Sequence, residues 1–253
     1  MKSKTVVCLP ARYQSSRLPG KPLLKIAGKP LIIWALESAA QIQADEIVVA
    51  TDDKRIKTLV ETAGYQAIMT SSNHQSGTDR IAEVAQKLSW SDDTIVVNYQ
   101  GDEPMTPKAN ILQLIQALKN YPQAAIATLY QSITHYQDLF NPNNVKLVSD
   151  EDGYALYFSR AAIPYSRKCF DENKLDDSIH YKHHIGLYAY RAQFLKCFSQ
   201  LPVSALEKTE SLEQLRAMSY GHKIITERAE QTMPHGIDTA EDLKNFELSL
   251  TSG

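Results

Sequence analysis

Three stretches of the 253-residue chain bring together residue types that could do chemistry. The first is Pro10-Ala11-Arg12-Tyr13-Gln14-Ser15-Ser16-Arg17-Leu18-Pro19-Gly20-Lys21-Pro22-Leu23, in which Arg12, Arg17 and Lys21 follow one another at spacings of five and four. Guanidinium groups clamp phosphate oxygens in pairs and an ammonium acts as a point charge, so such a loop can surround a polyphosphate. Its backbone N–H groups could add an anion-binding nest. A solvated basic loop is the plain alternative; the prolines and Gly20 set among the cations favour a shaped one. The second stretch is Gln100-Gly101-Asp102-Glu103-Pro104, directly after the apolar run Ile95-Val96-Val97-Asn98. A carboxylate just past a strand end, with glycine before it, is placed to hold a hard divalent ion such as Mg²⁺ beside phosphate oxygens. Asp238, in Gly236-Ile237-Asp238, offers a second carboxylate, although a helix cap explains an Asp there equally well. The third stretch, His74-Gln75-Ser76-Gly77-Thr78-Asp79-Arg80, is a polar loop feeding a helix and suited to hydrogen-bonding a base or ribose; a cap made by Ser76 or Thr78 is compatible with that use. His180-x-x-His183-His184 lacks the helical context and the glutamate of a helical zinc motif.

These groups need a scaffold that carries loops to one edge. Thr5-Val6-Val7-Cys8-Leu9 reads as a buried strand, Ile32, Ala35, Leu36 and Ala39 recur at helical spacing, and Ile47-Val48-Val49-Ala50 is a second strand. The alternation continues with a helix over 54–63, a strand over 65–69, a helix with Ile81, Val84, Ala85 and Leu88 inward, a strand over 94–98 and a helix with Ile111, Leu114, Ile115 and Leu118 inward. Strands separated by helices predict an α/β fold with a mostly parallel central sheet flanked by helices. Ligands then gather beyond the carboxyl ends of the strands, where the basic loop and Asp102 fall. From about residue 130 the pattern shifts to strand-like pieces at 146–149, 155–159 and 186–190, with a polar loop over 166–178, which reads as an inserted subdomain at roughly 130–200 of a single 1–253 domain. A helix over 205–217, a strand over 223–228 and a last helix starting at Thr239-x-x-Asp242 complete the pattern.

Composition narrows the class. A chain with 43% hydrophobic residues and net charge −2 builds a globular core. Its longest apolar run, Leu31-Ile32-Ile33-Trp34-Ala35-Leu36, falls far short of the roughly 20 residues of a membrane span. No export signal is read, and Cys8, Cys169 and Cys197 form no disulfide framework, so a cytoplasmic protein with reduced thiols is expected, without membrane attachment. Seven cations and no acid precede Glu37, which points to an anionic ligand near the N-terminal end. A nucleic acid is not expected, because the chain is not basic overall and shows no groove-reading motif. No two glycines stand two or five residues apart, which excludes the dinucleotide-binding fingerprint and the P-loop.

Six ordered blocks together resemble the 3-deoxy-manno-octulosonate cytidylyltransferase (CMP-Kdo synthetase) family. They are the basic loop 11–23, His74 to Thr78, Asn98 to Pro104, Tyr154-Ala155-Leu156-Tyr157-Phe158-Ser159-Arg160, Leu212-Glu213-Gln214-Leu215-Arg216 and Ile237-Asp238-Thr239-x-Glu241-Asp242-Leu243. Departures from the family pattern are small: Met233-Pro234-His235 before Gly236, and Tyr99 in place of a frequent valine. The resemblance implies a nucleotide-diphospho-sugar transferase-like fold, a homodimer paired through the inserted region, and the reaction CTP + Kdo → CMP-Kdo + pyrophosphate for lipopolysaccharide assembly. It implies that Arg12, Arg17 and Lys21 bind the triphosphate and that Ser76, Gly77 and Thr78 bind the cytidine end, with Arg80 also in the substrate-binding set. Asp102 and Asp238 would hold Mg²⁺, and Lys21, Asp102 and Arg17 would carry catalysis. Gln100, Arg160, His184, Tyr188, Glu213 and Gln214 would face the sugar acid. Within that set Arg160, Gln100 and His184 are expected at its carboxylate and Glu213 and Gln214 at its hydroxyls, the 205–217 helix presenting Glu210, Glu213 and Gln214 on one face. The same fold serves sialate or 8-amino-Kdo cytidylyltransferases and sugar-1-phosphate nucleotidylyltransferases, which the basic loop alone does not separate. A nucleotide-sensing or RNA-binding module explains the cations but gives Asp102 and Asp238 no role.

Overall fold

The structure is a computed structural model, and it describes residues 3–14, 18–74, 76–167, 174–234, 236–237 and 239–251. Arg17 and Asp238 lie outside the described residues, as do Ser15, Ser16, Gln75 and His235 of the sequence blocks. In chain order the elements begin with β1 (Thr5–Ala11), a single 3-10 turn (Lys21–Leu23), β2 (Lys25–Ile26), β3 (Lys29–Pro30), α1 (Leu31–Ala40), β4 (Glu46–Thr51), α2 (Lys54–Thr62) and β5 (Gln66–Met69). They continue with α3 (Gly77–Lys87), β6 (Ile95–Asn98), α4 (Lys108–Asn120), β7 (Ala124–Ser132), α5 (Tyr136–Phe140), β8 (Lys146–Ser149) and β9 (Ala155–Ser159). The last are β10 (Lys182–Arg191), α6 (Ala192–Phe198), α7 (Ala205–Glu210), α8 (Gln214–Ser219), β11 (Lys223–Arg228) and α9 (Ala240–Thr251).

The chain divides into two compact units. The first holds Met1–Leu112, Tyr190–Ser199 and Met233–Gly253, and the second Gln113–Ala189 and Gln200–Thr232. In the first unit four strands lie in the order β6-β1-β4-β5, each parallel to its neighbour, as the strand-helix alternation predicts, while β2 and β3 form a separate antiparallel pair. Val6, Val7, Cys8 and Leu9 of β1 are completely buried, the mark of a parallel strand covered on both faces. α1, α2 and α3 pack against these strands. α2 starts where Asp53 accepts the N–H groups of Arg55 and Ile56, and it buries Ile56 and Val60. Burial also pushes the Cys8 thiol far up, which leaves it an inert core residue.

In the second unit β7 and β11 run parallel and β8 pairs antiparallel with both β9 and β10. β7 is absent from the sequence reading, because Ala124-Ala125-Ile126-Ala127 carries too few β-branched residues to declare a strand. The helix expected over 205–217 is broken. Ser211 takes a left-handed conformation (φ 53°, ψ 49°) that ends α7, and α8 starts only at Gln214. The break turns Leu212 inward to 7% exposure, and a buried two-pronged ion pair between Glu207 and Arg216 joins the halves. Apolar burial and this pairing together outweigh the few intrahelical bonds lost. Glu210, Glu213 and Gln214 therefore do not share one helix face, which corrects that expectation. Among the described residues no helix is long and apolar enough to cross a membrane.

Candidate active site

The basic loop leaves the carboxyl end of β1 with Arg12 exposed. Its two ends are tied where Gly20 N–H donates to the Tyr13 carbonyl at 2.9 Å. Gly20 has φ 70°, and a Cβ there would lie 3.0 Å from the Tyr13 ring, so both its conformation and its contact require glycine. Arg55 stacks 3.6 Å over the centre of the same ring. The following 3-10 turn, with Pro22 in its first positions, buries Lys21 to 7% exposure and directs its Nζ to within 2.6 Å of Asp102 Oδ2.

Asp102 reaches this position from the loop after β6, the strand beside β1. Gly101 allows the approach: a Cβ there would lie 3.3 Å from the Pro10 carbonyl oxygen and 3.2 Å from Ile32 Cδ1. Gln100, half-buried, accepts the Glu103 N–H at its carbonyl and closes the turn. The Asp102 carbonyl accepts the Ile237 N–H at 3.2 Å, and a Cβ on Gly236 would stand 3.4 Å from Glu103 Cγ. Ile237 is anchored in an apolar cluster with Ile26, Leu31 and Phe246. The segment immediately preceding Asp238 is thus hydrogen-bonded to the Asp102 loop. Among the described residues no three His, Cys, Asp or Glu side chains form a protein-only metal cage. The 38%-exposed carboxylate of Asp102 suits instead an ion held by one or two carboxylates together with ligand phosphates, as Mg²⁺ usually is.

At the start of α3 the Ser76 hydroxyl accepts the Asp79 N–H and donates to the Asp79 carboxylate, so the helix cap is realised. Gly77 begins the helix with the Pro10 ring at 3.4 Å from where its Cβ would be. Thr78 is buried, its hydroxyl 3.4 Å from that of Tyr190. Arg80 is 3% exposed, and its two terminal nitrogens go to Thr70 Oγ1 and, at 2.8 Å, Asp52 Oδ2. Arg80 thus ties α3 to the loops that follow β4 and β5. Glu83, missed in the sequence, gathers the Ser71 N–H, His74 Nε2 and Lys87 Nζ at one carboxylate. Burial pushes that carboxyl up, yet these three partners outweigh it and hold it at about 2.

Of the residues expected to face a sugar acid, Gln100 belongs to the first unit and the other five to the second. β10 carries His184 and Tyr188, whose rings lie 5.2 Å apart, and Phe158 of β9 meets the His184 ring edge-on at 5.1 Å. His184 Nε2 contacts Thr128 Oγ1 at 2.9 Å, and that hydroxyl also donates to the Leu187 carbonyl at 2.8 Å. Burial, with the neighbouring His183 adding to it, lowers the His184 pKa to about 3. A neutral imidazole offers one donor and one acceptor nitrogen, which suits a hydroxyl. Arg160, half-buried just past β9, is held by the Glu210 and Pro142 carbonyls. Glu213 is exposed at the start of α8, and Gln214 is 7% exposed with a buried Nε2 that has no hydrogen-bond partner. Thr128 is legible in the sequence only as a threonine inside an apolar run, a group that must find a partner when buried.

Lys21 and Asp102 thus pair in the loops that follow two adjacent parallel strands, where α/β folds bind their ligands. A family model described as Cytidylyltransferase matches residues 6–224. The chain belongs to this cytidylyltransferase family. The 3-deoxy-manno-octulosonate cytidylyltransferase of Tolumonas auensis is 51% identical over 97% of this chain and 96% of its own, and that of Nitrosococcus oceani 49% identical over 97% and 96%. A solved CMP:2-keto-3-deoxy-manno-octonic acid synthetase complexed with CTP is 43% identical, covers 99% of both chains and superposes with a TM-score of 0.88. A 4-diphosphocytidyl-2C-methyl-D-erythritol synthase, 13% identical over 99% of both chains with a TM-score of 0.65, shares the fold. The resemblance read from the six blocks is borne out, and the chain is a nucleotidyltransferase.

Proposed function

We propose that this chain transfers the cytidylyl group of CTP to Kdo, releasing pyrophosphate, and that it does so in the cytoplasm for lipopolysaccharide assembly. The observation that carries the reading is the 2.6 Å pair of Lys21 and Asp102 at neighbouring strand ends, in a chain about half identical to Kdo cytidylyltransferases.

The anomeric hydroxyl of Kdo attacks the α-phosphorus of CTP, and pyrophosphate leaves in line. Arg12, Arg17 and Lys21 neutralise the triphosphate and stabilise the charge that spreads onto the leaving oxygens. Ser76, Gly77 and Thr78 orient the cytidine. Asp102 and Asp238 would hold Mg²⁺, whose positive charge would offset the negative charge of the phosphate oxygens and lower the pKa of a nearby hydroxyl. Lys21 aims the Asp102 carboxylate and shares its charge with the phosphates. On the acceptor side Arg160 binds the carboxylate, Gln100 and Tyr188 also contact the sugar acid, and His184, Glu213 and Gln214 take hydroxyls. The unpartnered Gln214 amide supports this role, since a buried donor is costly until a ligand supplies its acceptor. The enzyme acts as a homodimer paired through the second unit, a reading supported by the 60% and 64% exposure of Leu156 and Tyr165 there.

Pyrophosphate release tests the assignment. CTP with Kdo should far exceed any other nucleotide or acid, sialate and 8-amino-Kdo included, and chelation of divalent ions should abolish it. No release from CTP would overturn the activity, and a preference for sialate would overturn the acceptor.

A further inference from the structure

The segment around Arg160 is fixed far more firmly than an arginine just beyond a strand requires. Glu210, the last residue of α7, places one carboxylate oxygen 2.6 Å from the Ser159 hydroxyl and the other 2.9 Å from the Arg160 N–H. Its backbone carbonyl accepts Arg160 Nε at 2.7 Å. The completely buried Lys146 donates to the Arg160 carbonyl at 2.6 Å. The backbone N–H, the carbonyl and the guanidinium of Arg160 are thus all held.

The division of bonds matters chemically. The Glu210 carboxylate is spent on a hydroxyl and a backbone amide, while the guanidinium is held by neutral carbonyls. Among the described residues Arg160 therefore gains a set direction without giving its charge to a carboxylate. A cation preorganised in this way binds an incoming anion without first losing rotamer freedom or breaking an ion pair.

We propose that Glu210 is a positioning residue that sets Arg160 for the carboxylate of the acceptor; the inference rests on the reading of Arg160 as the cation facing the sugar acid. α7 also holds α8, the helix of Gln214, through the buried pair of Glu207 and Arg216. One six-residue helix thereby supports both an acid-binding and a hydroxyl-binding residue of the acceptor set.

The test is a split in Michaelis constants. Glu210→Ala should raise the KM for Kdo roughly tenfold, the scale of one charge-assisted hydrogen bond, while the KM for CTP stays near wild type. Glu210→Gln keeps an oxygen for the Arg160 N–H, and its amide can donate to Ser159, so it should restore most of the loss. In an Arg160→Ala background Glu210→Ala should add nothing further. If Glu210→Ala does not fold, Ser159→Ala carries the same test at a few-fold effect. Equal losses for both substrates, or a Glu210→Ala effect undiminished without Arg160, would overturn the inference. Arg160→Ala with an unchanged KM for Kdo overturns the acceptor reading along with it. A raised KM in Arg160→Ala with a silent Glu210→Ala overturns the positioning role alone.

Discussion

The Thr128 hydroxyl fixes the tautomer of His184. Thr128 has one proton to give, and it goes to the Leu187 carbonyl, which can only accept. The 2.9 Å contact with His184 must then be a bond donated by Nε2–H, which leaves the lone pair on Nδ1. An uncharged ring with that nitrogen as acceptor takes a hydrogen bond from a hydroxyl and repels a carboxylate.

Thr128→Val should remove this lock with little change in volume. The buried Nε2–H loses its partner, and the KM for Kdo should rise about fivefold to twentyfold, a cost of the size expected for one unsatisfied buried group, while Thr128→Ser stays close to wild type. Steady-state kinetics with each substrate varied in turn decides it; identical constants for Thr128→Val would show that the tautomer does not matter.

His184 also makes stability depend on pH. Its folded pKa, about 3, lies below the ordinary histidine value of 6.5, so the unfolded chain takes up a proton that the folded chain refuses. The folded state is unpenalised above 6.5 and loses stability as pH falls from 6.5 towards 3, at up to about 1.4 kcal/mol per pH unit. Urea midpoints at pH 7 and pH 4.5 should fall further apart in the wild type than in His184→Gln.

Asp102→Asn keeps the shape of the side chain and removes its charge. Turnover should fall by about two orders of magnitude or more in a folded protein, the scale of a lost transition-state electrostatic contribution. Lys21→Met should weaken CTP binding far more than CMP binding, measured by titration calorimetry. Equal losses for the two nucleotides would remove Lys21 from the β- and γ-phosphates.

Two glycine substitutions separate catalytic geometry from stability. Gly101→Ala forces the Asp102 loop away from the Pro10 carbonyl and Ile32, so kcat should drop about tenfold. Gly28→Ala meets nothing within 4 Å but must adopt φ +81° in the β2–β3 turn, so it should cost about 1 kcal/mol and leave kcat intact. The reverse pattern would mean that the loop has room to absorb a methyl group.

What the sequence makes legible follows from what local pattern can encode. Runs such as Val6-Val7-Cys8-Leu9 are apolar because both faces of a parallel strand are covered, so the first unit can be read directly, and its loops fall where strand ends place them. That the basic loop and Asp102 lie beyond the strand ends can be read from residue types and position, but the bond between Lys21 and Asp102, 81 residues apart, cannot. The ties of Arg80 to Asp52 and Thr70 escape such a reading because they join residues of separate loops. The break at Ser211 leaves no local mark, since nothing in Glu210-Ser211-Leu212 forbids a helix. The burial of Leu212 and the pairing of Glu207 with Arg216 end it instead. Thr128, Lys146 and Glu210 act through bonds to residues far along the chain, and such bonds have no local signature.

The solitary amide of Gln214 has a consequence for anyone seeking a sturdier enzyme. A leucine or methionine would fill the same volume without a buried donor, so a screen for higher melting temperature should select it. That variant would keep its shape longer on heating and would have surrendered the acceptor contact proposed for Gln214. Selection on heat resistance alone would therefore drift away from the sugar acid at this position, and only a parallel screen on turnover would hold the glutamine in place.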